Sequence, residues 1–140
     1  MRNKTDWGDT APSDLKIAEA MPDDYHALLL PGGVINPDKL RIDDSAMKIV
    51  KSFLQSEKIV AAICHGPWLL VQADAVRGVN MTSFKSIRKD VENAGGKWVD
   101  KEVVTDNGVI TSRSPDDLKA FVPKIIEEIE KGRHNRRAAA

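Results

Sequence analysis

Two short apolar runs, each stopped by a glycine-containing turn, constrain this chain more than any other feature. Ala27-Leu28-Leu29-Leu30 runs into Pro31-Gly32-Gly33, and the run from Ile59 to Ile63 meets Cys64-His65-Gly66. Apolar runs of this length that do not alternate mark strands buried on both faces, which belong to parallel sheets covered by helices. Helical spacing lies between and after them. Asp43 and Asp44 open a segment whose apolar positions, Ala46, Met47, Val50, Phe53 and Leu54, share one face. Pro67 to Val76 is apolar nearly all round and predicts a deeply buried helix. Strands alternating with helices predict an α/β fold of three layers around a mostly parallel sheet. Sites in such sheets lie beyond the carboxyl ends of the strands, where both glycine turns fall.

Farther along, Ser83 is placed to cap a helix with the apolar face Phe84, Ile87, Val91 and Ala94, and Gly95-Gly96 ends it. Val103-Val104 and Val109-Ile110 flank Asp106-Asn107-Gly108, and Asn-Gly between apolar pairs predicts a two-residue hairpin. Ser114-Pro115 opens a last helix with a buried stripe of Leu118, Phe121, Val122, Ile125, Ile126 and Ile129, which Pro123 should kink or break. Asp116 and Asp117 read as first-turn acids of that helix. Residues 1–24, with Pro12 and Pro22, read as an irregular segment; residues 25–131 carry the periodic pattern; residues 132–140 read as a solvated tail.

The 140 residues are one domain's worth, and 21 basic against 21 acidic side chains give no general field for nucleic acid or anionic membrane. Lys131, Arg133, Arg136 and Arg137 make a basic end that reads as solvated rather than as a phosphate site. No apolar run is long enough to span a bilayer, and the first residues lack the apolar core of a signal peptide. One cysteine makes no internal disulfide, so a reducing cytoplasm is the expected compartment. No metal site is expected, because His26, His65 and His134 lack ligand spacing. Trp7, Trp68 and Trp98 read as core or interface residues, with Trp68 close enough to Cys64 to wall a pocket.

A lone cysteine in an apolar run ordinarily behaves as a small hydrophobe. Here it sits at a strand-to-helix junction, with Ala62 and Gly66 two residues to either side and His65 adjacent. Such an elbow lifts the sulfur out of the sheet, and amide dipoles at the start of the helix favour the thiolate. An adjacent imidazole is expected to hold or shuttle the proton, and N–H groups at the helix start or in the Gly32-Gly33 loop are candidates to stabilise an oxyanion.

The segments LLLPGG at 28–33, NPDKLR at 36–41, AAICHGPWLL at 61–70 and SRSPDDL at 112–118 together resemble the ThiJ/PfpI family, over about residues 5–130. The resemblance is greatest to its PfpI-type intracellular peptidases and general stress proteins. It implies a flavodoxin-like sandwich of the class I glutamine amidotransferase type, and a cofactor-free site. By the same resemblance, Cys64 is the nucleophile and His65 its partner. Asp38 is the acid that a neighbouring subunit lends to the histidine, so a homo-oligomer is expected. Gly32 and Gly33 help bind the oxyanion. The family's usual opening strand, helix and strand, and a glutamate that bonds the cysteine sulfur, have no counterpart before Tyr25, where Glu19 is the one glutamate. An N-terminally truncated member is therefore expected, with residues 25–131 a partial domain and an unpaired strand edge and apolar face left open. Two activities follow from the resemblance. One is peptide hydrolysis through a cysteinyl intermediate. The other, favoured for a small shallow site, is deglycase- or glyoxalase-like action on glyoxal-type and early glycation adducts. A non-enzymatic alternative is an inactive fragment or an oligomerising, chaperone-like module.

Overall fold

The computed structural model describes residues 12–132, together with the backbone of two very short strands before them. In chain order the elements are β1 (Arg2–Asn3), β2 (Asp6–Trp7), β3 (Ala27–Leu30), α1 (Ile35–Leu40), α2 (Asp44–Gln55), β4 (Ile59–Ile63), α3 (Trp68–Gln72), β5 (Asn80–Met81), α4 (Arg88–Asn93), β6 (Lys97–Trp98), β7 (Val104–Asp106), β8 (Val109–Ser112) and α5 (Leu118–Lys131). The main sheet has the order β3-β4-β8-β7, with β3, β4 and β8 parallel and β7 antiparallel at one edge. β5 and β6 form a separate parallel pair.

The alternation of side chains along β4 divides the core. Val60 and Ala62 face one cluster, with Leu30, Val50, Phe53, Leu69, Leu70 and Met81. Ile59, Ala61 and Ile63 face the other, with Ile110 and Phe121. α2 and α3 therefore cover one side of the sheet and α5 the other, which is the three-layer sandwich the strand and helix pattern predicts. Each fully buried aliphatic side chain contributes about 1.5–3 kcal/mol, so β4, buried at every position, anchors both layers. α2 starts where expected: the Asp43 carboxylate accepts a hydrogen bond from the Ala46 N–H at 2.9 Å. The β7–β8 hairpin turns on Asn107 and Gly108, both at positive φ (49° and 83°), as the Asn-Gly signal requires.

Four expectations need correction. The buried helix expected over 67–76 is α3, only Trp68–Gln72. Asp74 adopts φ 56°, a left-handed conformation that aspartate tolerates, and the chain leaves the helix so that Val76 enters the core from a turn. Ser83 caps nothing. It is buried, donates to the Phe84 carbonyl at 2.9 Å and accepts from Trp98 Nε1 at 2.9 Å. A 3₁₀ turn at Lys85–Ile87 precedes α4, which ends at Gly95 with φ +96°.

The last helix also starts differently. Ser114 makes no side-chain cap, and a 3₁₀ turn at Pro115–Asp117 leads into α5. Asp116 and Asp117 are first-turn acids as expected, and Asp117 is in addition buried and ties Arg113 through two 2.9 Å side-chain bonds. Pro123 does not break α5. The hydrogen bond it lacks belongs to the carbonyl of Lys119, on an exposed turn that water can serve.

The stripe of α5 is the fourth correction. Phe121 is buried and Ile125 partly so, but Leu118, Val122, Ile126 and Ile129 are exposed. Among the described residues β3 pairs only with β4, and Leu29, on the same side of the sheet as α5, is 56% exposed. Among the described residues both an apolar helix flank and the edge strand β3 are thus exposed. The irregular segment expected at 1–24 contains the β1–β2 pair and 3₁₀ turns at Ile17–Glu19 and Pro22–Asp24. Residues 133–140 of the expected tail, including His134, lie outside the described residues.

Candidate active site

β4 ends at Ile63, and the backbone turns on Cys64 at φ 63°. A non-glycine residue in that conformation is strained, and the surroundings hold it. Its N–H donates to the Ser112 carbonyl at 3.1 Å, and its own carbonyl accepts from the Phe84 N–H at 2.8 Å. Gly66 closes the elbow, its N–H bonded to the Ile63 carbonyl at 2.9 Å. A Cβ on Gly66 would lie 2.5 Å from the Leu30 carbonyl oxygen, so only glycine lets the elbow sit this close to β3.

The Pro31-Gly32-Gly33 loop comes against the cysteine from the neighbouring strand. A Cβ on Gly32 would lie 2.7 Å from Cys64 Cβ and 3.4 Å from its Sγ. Gly33 has φ +81°. Among the described residues no hydrogen bond from the N–H groups of Gly32 and Gly33 to a protein acceptor is seen.

Cys64 is partly exposed, whereas His65 is 6% exposed. The Cys64 Sγ lies 3.3 Å from His65 Nδ1. The far nitrogen, Nε2, lies 3.2 Å from Ser86 Oγ. The imidazole stacks on Phe84 (centroids 5.1 Å apart, 26° between planes) and meets Trp68 edge-on at 5.1 Å and 69°. Burial pulls the His65 imidazole below its ordinary titration range, so its neutral form is favoured. Trp68 is held in turn by its Nε1 donating to Asp90 at 3.0 Å and by the Arg41 guanidinium 5.1 Å above its ring. The helix behind the cysteine has only five residues, so its dipole is small and the imidazole is the closer source of activation.

Of the residues singled out in the sequence, Cys64, His65, Gly32 and Trp68 come together, with Gly33 at the next position of the loop. Asp38 does not join them within the chain: it is exposed on α1, and the hydrogen bonds of the imidazole go to Cys64 and Ser86. Ser86 and the stacking role of Phe84 were not legible. Both lie about twenty positions downstream in a stretch that reads as a plain helix start.

A thiol beside an imidazole on a strained elbow, with a glycine loop packed against it, is equipped for nucleophilic attack on a carbonyl. The family model described as DJ-1/PfpI family matches residues 2–128. A Bacillus subtilis protein named putative cysteine protease YraA is 45% identical over 114 residues, covering 81% of this chain and 67% of its own length. The structure of a two-domain protein from Anabaena variabilis, with DJ-1/ThiJ/PfpI-like and ferritin-like domains, superposes with a TM-score of 0.79 at 38% identity, over 81% of this chain and 32% of that one. Schizosaccharomyces pombe DJ-1 superposes with a TM-score of 0.70 at 26% identity, over 76% of this chain and 56% of its own. The sandwich is the flavodoxin-like fold of these proteins. By the extent of the family match and the identity to its relatives, the chain belongs to the DJ-1/PfpI family.

Proposed function

We propose that this chain carries the thiol site of a cofactor-free, deglycase- or glyoxalase-like enzyme acting on small carbonyl compounds and their early adducts. The observation that carries this reading is the 3.3 Å contact between Cys64 Sγ and His65 Nδ1 on an elbow overlaid by Gly32. On a glyoxal, His65 takes the Cys64 thiol proton, becoming the imidazolium, and the thiolate adds to the aldehyde carbon. A C–S bond forms, the carbonyl π pair moves to oxygen, and the Gly32-Gly33 N–H groups receive the oxyanion. Protonated by the imidazolium, this becomes a hemithioacetal. His65 then removes the hydrogen from that carbon and returns it to the neighbouring carbon through an enediol, leaving a thioester. Water cleaves the thioester to a 2-hydroxy acid and restores the thiolate. One carbon is oxidised and its neighbour reduced, so no external redox partner is needed.

A cysteine peptidase is the second reading, supported by the name of the Bacillus subtilis relative. Thiol, imidazole and oxyanion donors serve acyl transfer equally well, and the substrate decides between the two. In an assembly of copies, Asp38 of a neighbour is the acid proposed to approach the imidazole from its Nε2 end, beside Ser86. The exposed Leu29, Val122, Ile126 and Ile129 favour such self-association. No helix among the described residues is long and apolar enough to cross a membrane. Conversion of glyoxal to glycolate, abolished by Cys64→Ser, supports the first reading. Cleavage of an unstructured peptide with glyoxal left intact supports the second.

A further inference from the structure

We propose that Ser86 is the positioning residue of the Cys64–His65 pair, holding the imidazole through its Nε2 while Nδ1 serves the sulfur. The proposal rests on the reading of Cys64 as a nucleophile. Its starting point is the line of three groups: Sγ and Nδ1 3.3 Å apart, then Nε2 and Ser86 Oγ 3.2 Å apart. The Ser86 hydroxyl makes no other hydrogen bond among the described residues.

The turn that carries Ser86 is fixed to the elbow. The Phe84 N–H donates to the Cys64 carbonyl at 2.8 Å, Ile87 is buried in the core, and the Ser83 hydroxyl accepts from Trp98 Nε1 at 2.9 Å. With a neighbour on either side tied down, Ser86 reaches the imidazole from a preorganised position. Phe84 and Trp68 confine the plane of the ring. A half-turn about Cβ–Cγ keeps that plane but puts Cδ2–H in place of Nδ1 at the sulfur and Cε1–H in place of Nε2 at Ser86, so a partner at Nε2 favours the orientation in which Nδ1 faces the sulfur.

A hydroxyl is suited to this place because it both donates and accepts. It donates to Nε2 when the proton sits on Nδ1, and accepts from Nε2–H in the other tautomer or in the imidazolium. The contact therefore survives a full proton cycle without a rotation of the ring. Ser86 is also exposed while His65 is nearly buried, so the hydroxyl links the imidazole to solvent. Cys64 contacts the ring directly, and Asp90 and Arg41 contact Trp68, which meets the ring edge-on.

The test compares Ser86→Ala and Ser86→Thr with the unsubstituted chain. The rate of Cys64 alkylation by iodoacetamide at pH 7 is read together with the ¹⁵N shifts of the His65 ring across pH. Ser86→Ala should slow alkylation about fivefold, the worth of one hydrogen bond, and move the Nε2 shift. Ser86→Thr, which keeps the hydroxyl, should stay within about twofold in rate and retain the shift pattern. Unchanged ring shifts and rate in Ser86→Ala would overturn the proposal, as would a Ser86→Thr chain behaving like the alanine variant. If Cys64 in the unsubstituted chain reacts no faster than in urea, the nucleophile reading fails. The ring shifts then still report whether Ser86 holds the imidazole.

Discussion

Gly32 and Cys64 face each other so closely that a single added carbon on the glycine would come within 2.7 Å of the cysteine Cβ. The two sit at the ends of adjacent parallel strands, β3 and β4, held in register by the pairing of Leu30 with Ala62. Strand register thus brings the Gly32 backbone and the thiol to the same place. Gly32→Ala should push the loop or the cysteine away. Alkylation of Cys64 at pH 7 should fall about tenfold or more, with the far-ultraviolet circular dichroism spectrum unchanged.

Gly66 has the same intolerance for a different reason. The Cβ of Gly66→Ala would press on the Leu30 backbone oxygen and the Ile63 backbone, neither of which can rotate away. Urea unfolding should show a loss of roughly 1–3 kcal/mol, typical of overpacking. Retention of the full midpoint would mean that the elbow is looser than its contacts indicate.

How much of this was legible follows from what each signal depends on. β3, β4, the α2 cap and the Asn-Gly hairpin rest on local patterns, and all appear where the sequence puts them. The Cys64-His65-Gly66 elbow was legible because its residues adjoin in sequence. Ser86 was not, because it reaches His65 only through the packing of the Phe84 turn on Cys64. The α5 stripe misled because periodicity shows which face is apolar, not how much sheet lies beneath it. Ser114 sits at the start of the turn leading into α5 as expected but makes no side-chain cap, and the first-turn acid Asp117 is buried against Arg113, a pairing no local pattern shows.

The Arg113–Asp117 pair sets an acid limb for stability. Hydrogen bonds from the Arg113 side chain hold the Asp117 carboxyl below its ordinary range. A carboxyl depressed in the folded state contributes fully above its unfolded value of about 3.9, and its contribution is lost as pH falls through the lower folded value. The urea midpoint should therefore decline below about pH 4. Asp117→Asn should lower the midpoint at pH 7 and flatten that decline.

His65 titrates in the opposite sense. Its folded-state value is depressed by burial, so the unfolded chain takes up this proton first. Stability from this residue is complete above about pH 6.5, falls as pH drops below it, and levels off beneath the folded value. In the unassociated chain the His65 ring resonances should show a midpoint below about 6.5 in NMR titration. A rise in that midpoint as copies associate would report a neighbour's Asp38 carboxylate at the ring.

The exposed flank formed by Leu29, Val122 and Ile126 should drive concentration-dependent self-association. Sedimentation velocity should show larger species as concentration rises, and Ile126→Lys should weaken them at least tenfold. A monomer at every concentration would argue against the proposed sharing of Asp38 between copies.

The most direct test concerns the Cys64–His65 pair itself. The rate of Cys64 alkylation at pH 7 is measured for the folded chain, for the chain in urea, and for His65→Ala. Folded Cys64 should react about tenfold faster than in urea, and His65→Ala should remove that advantage. Equal rates in all three would contradict an activated nucleophile and reduce Cys64 to a partly exposed thiol on a strained turn.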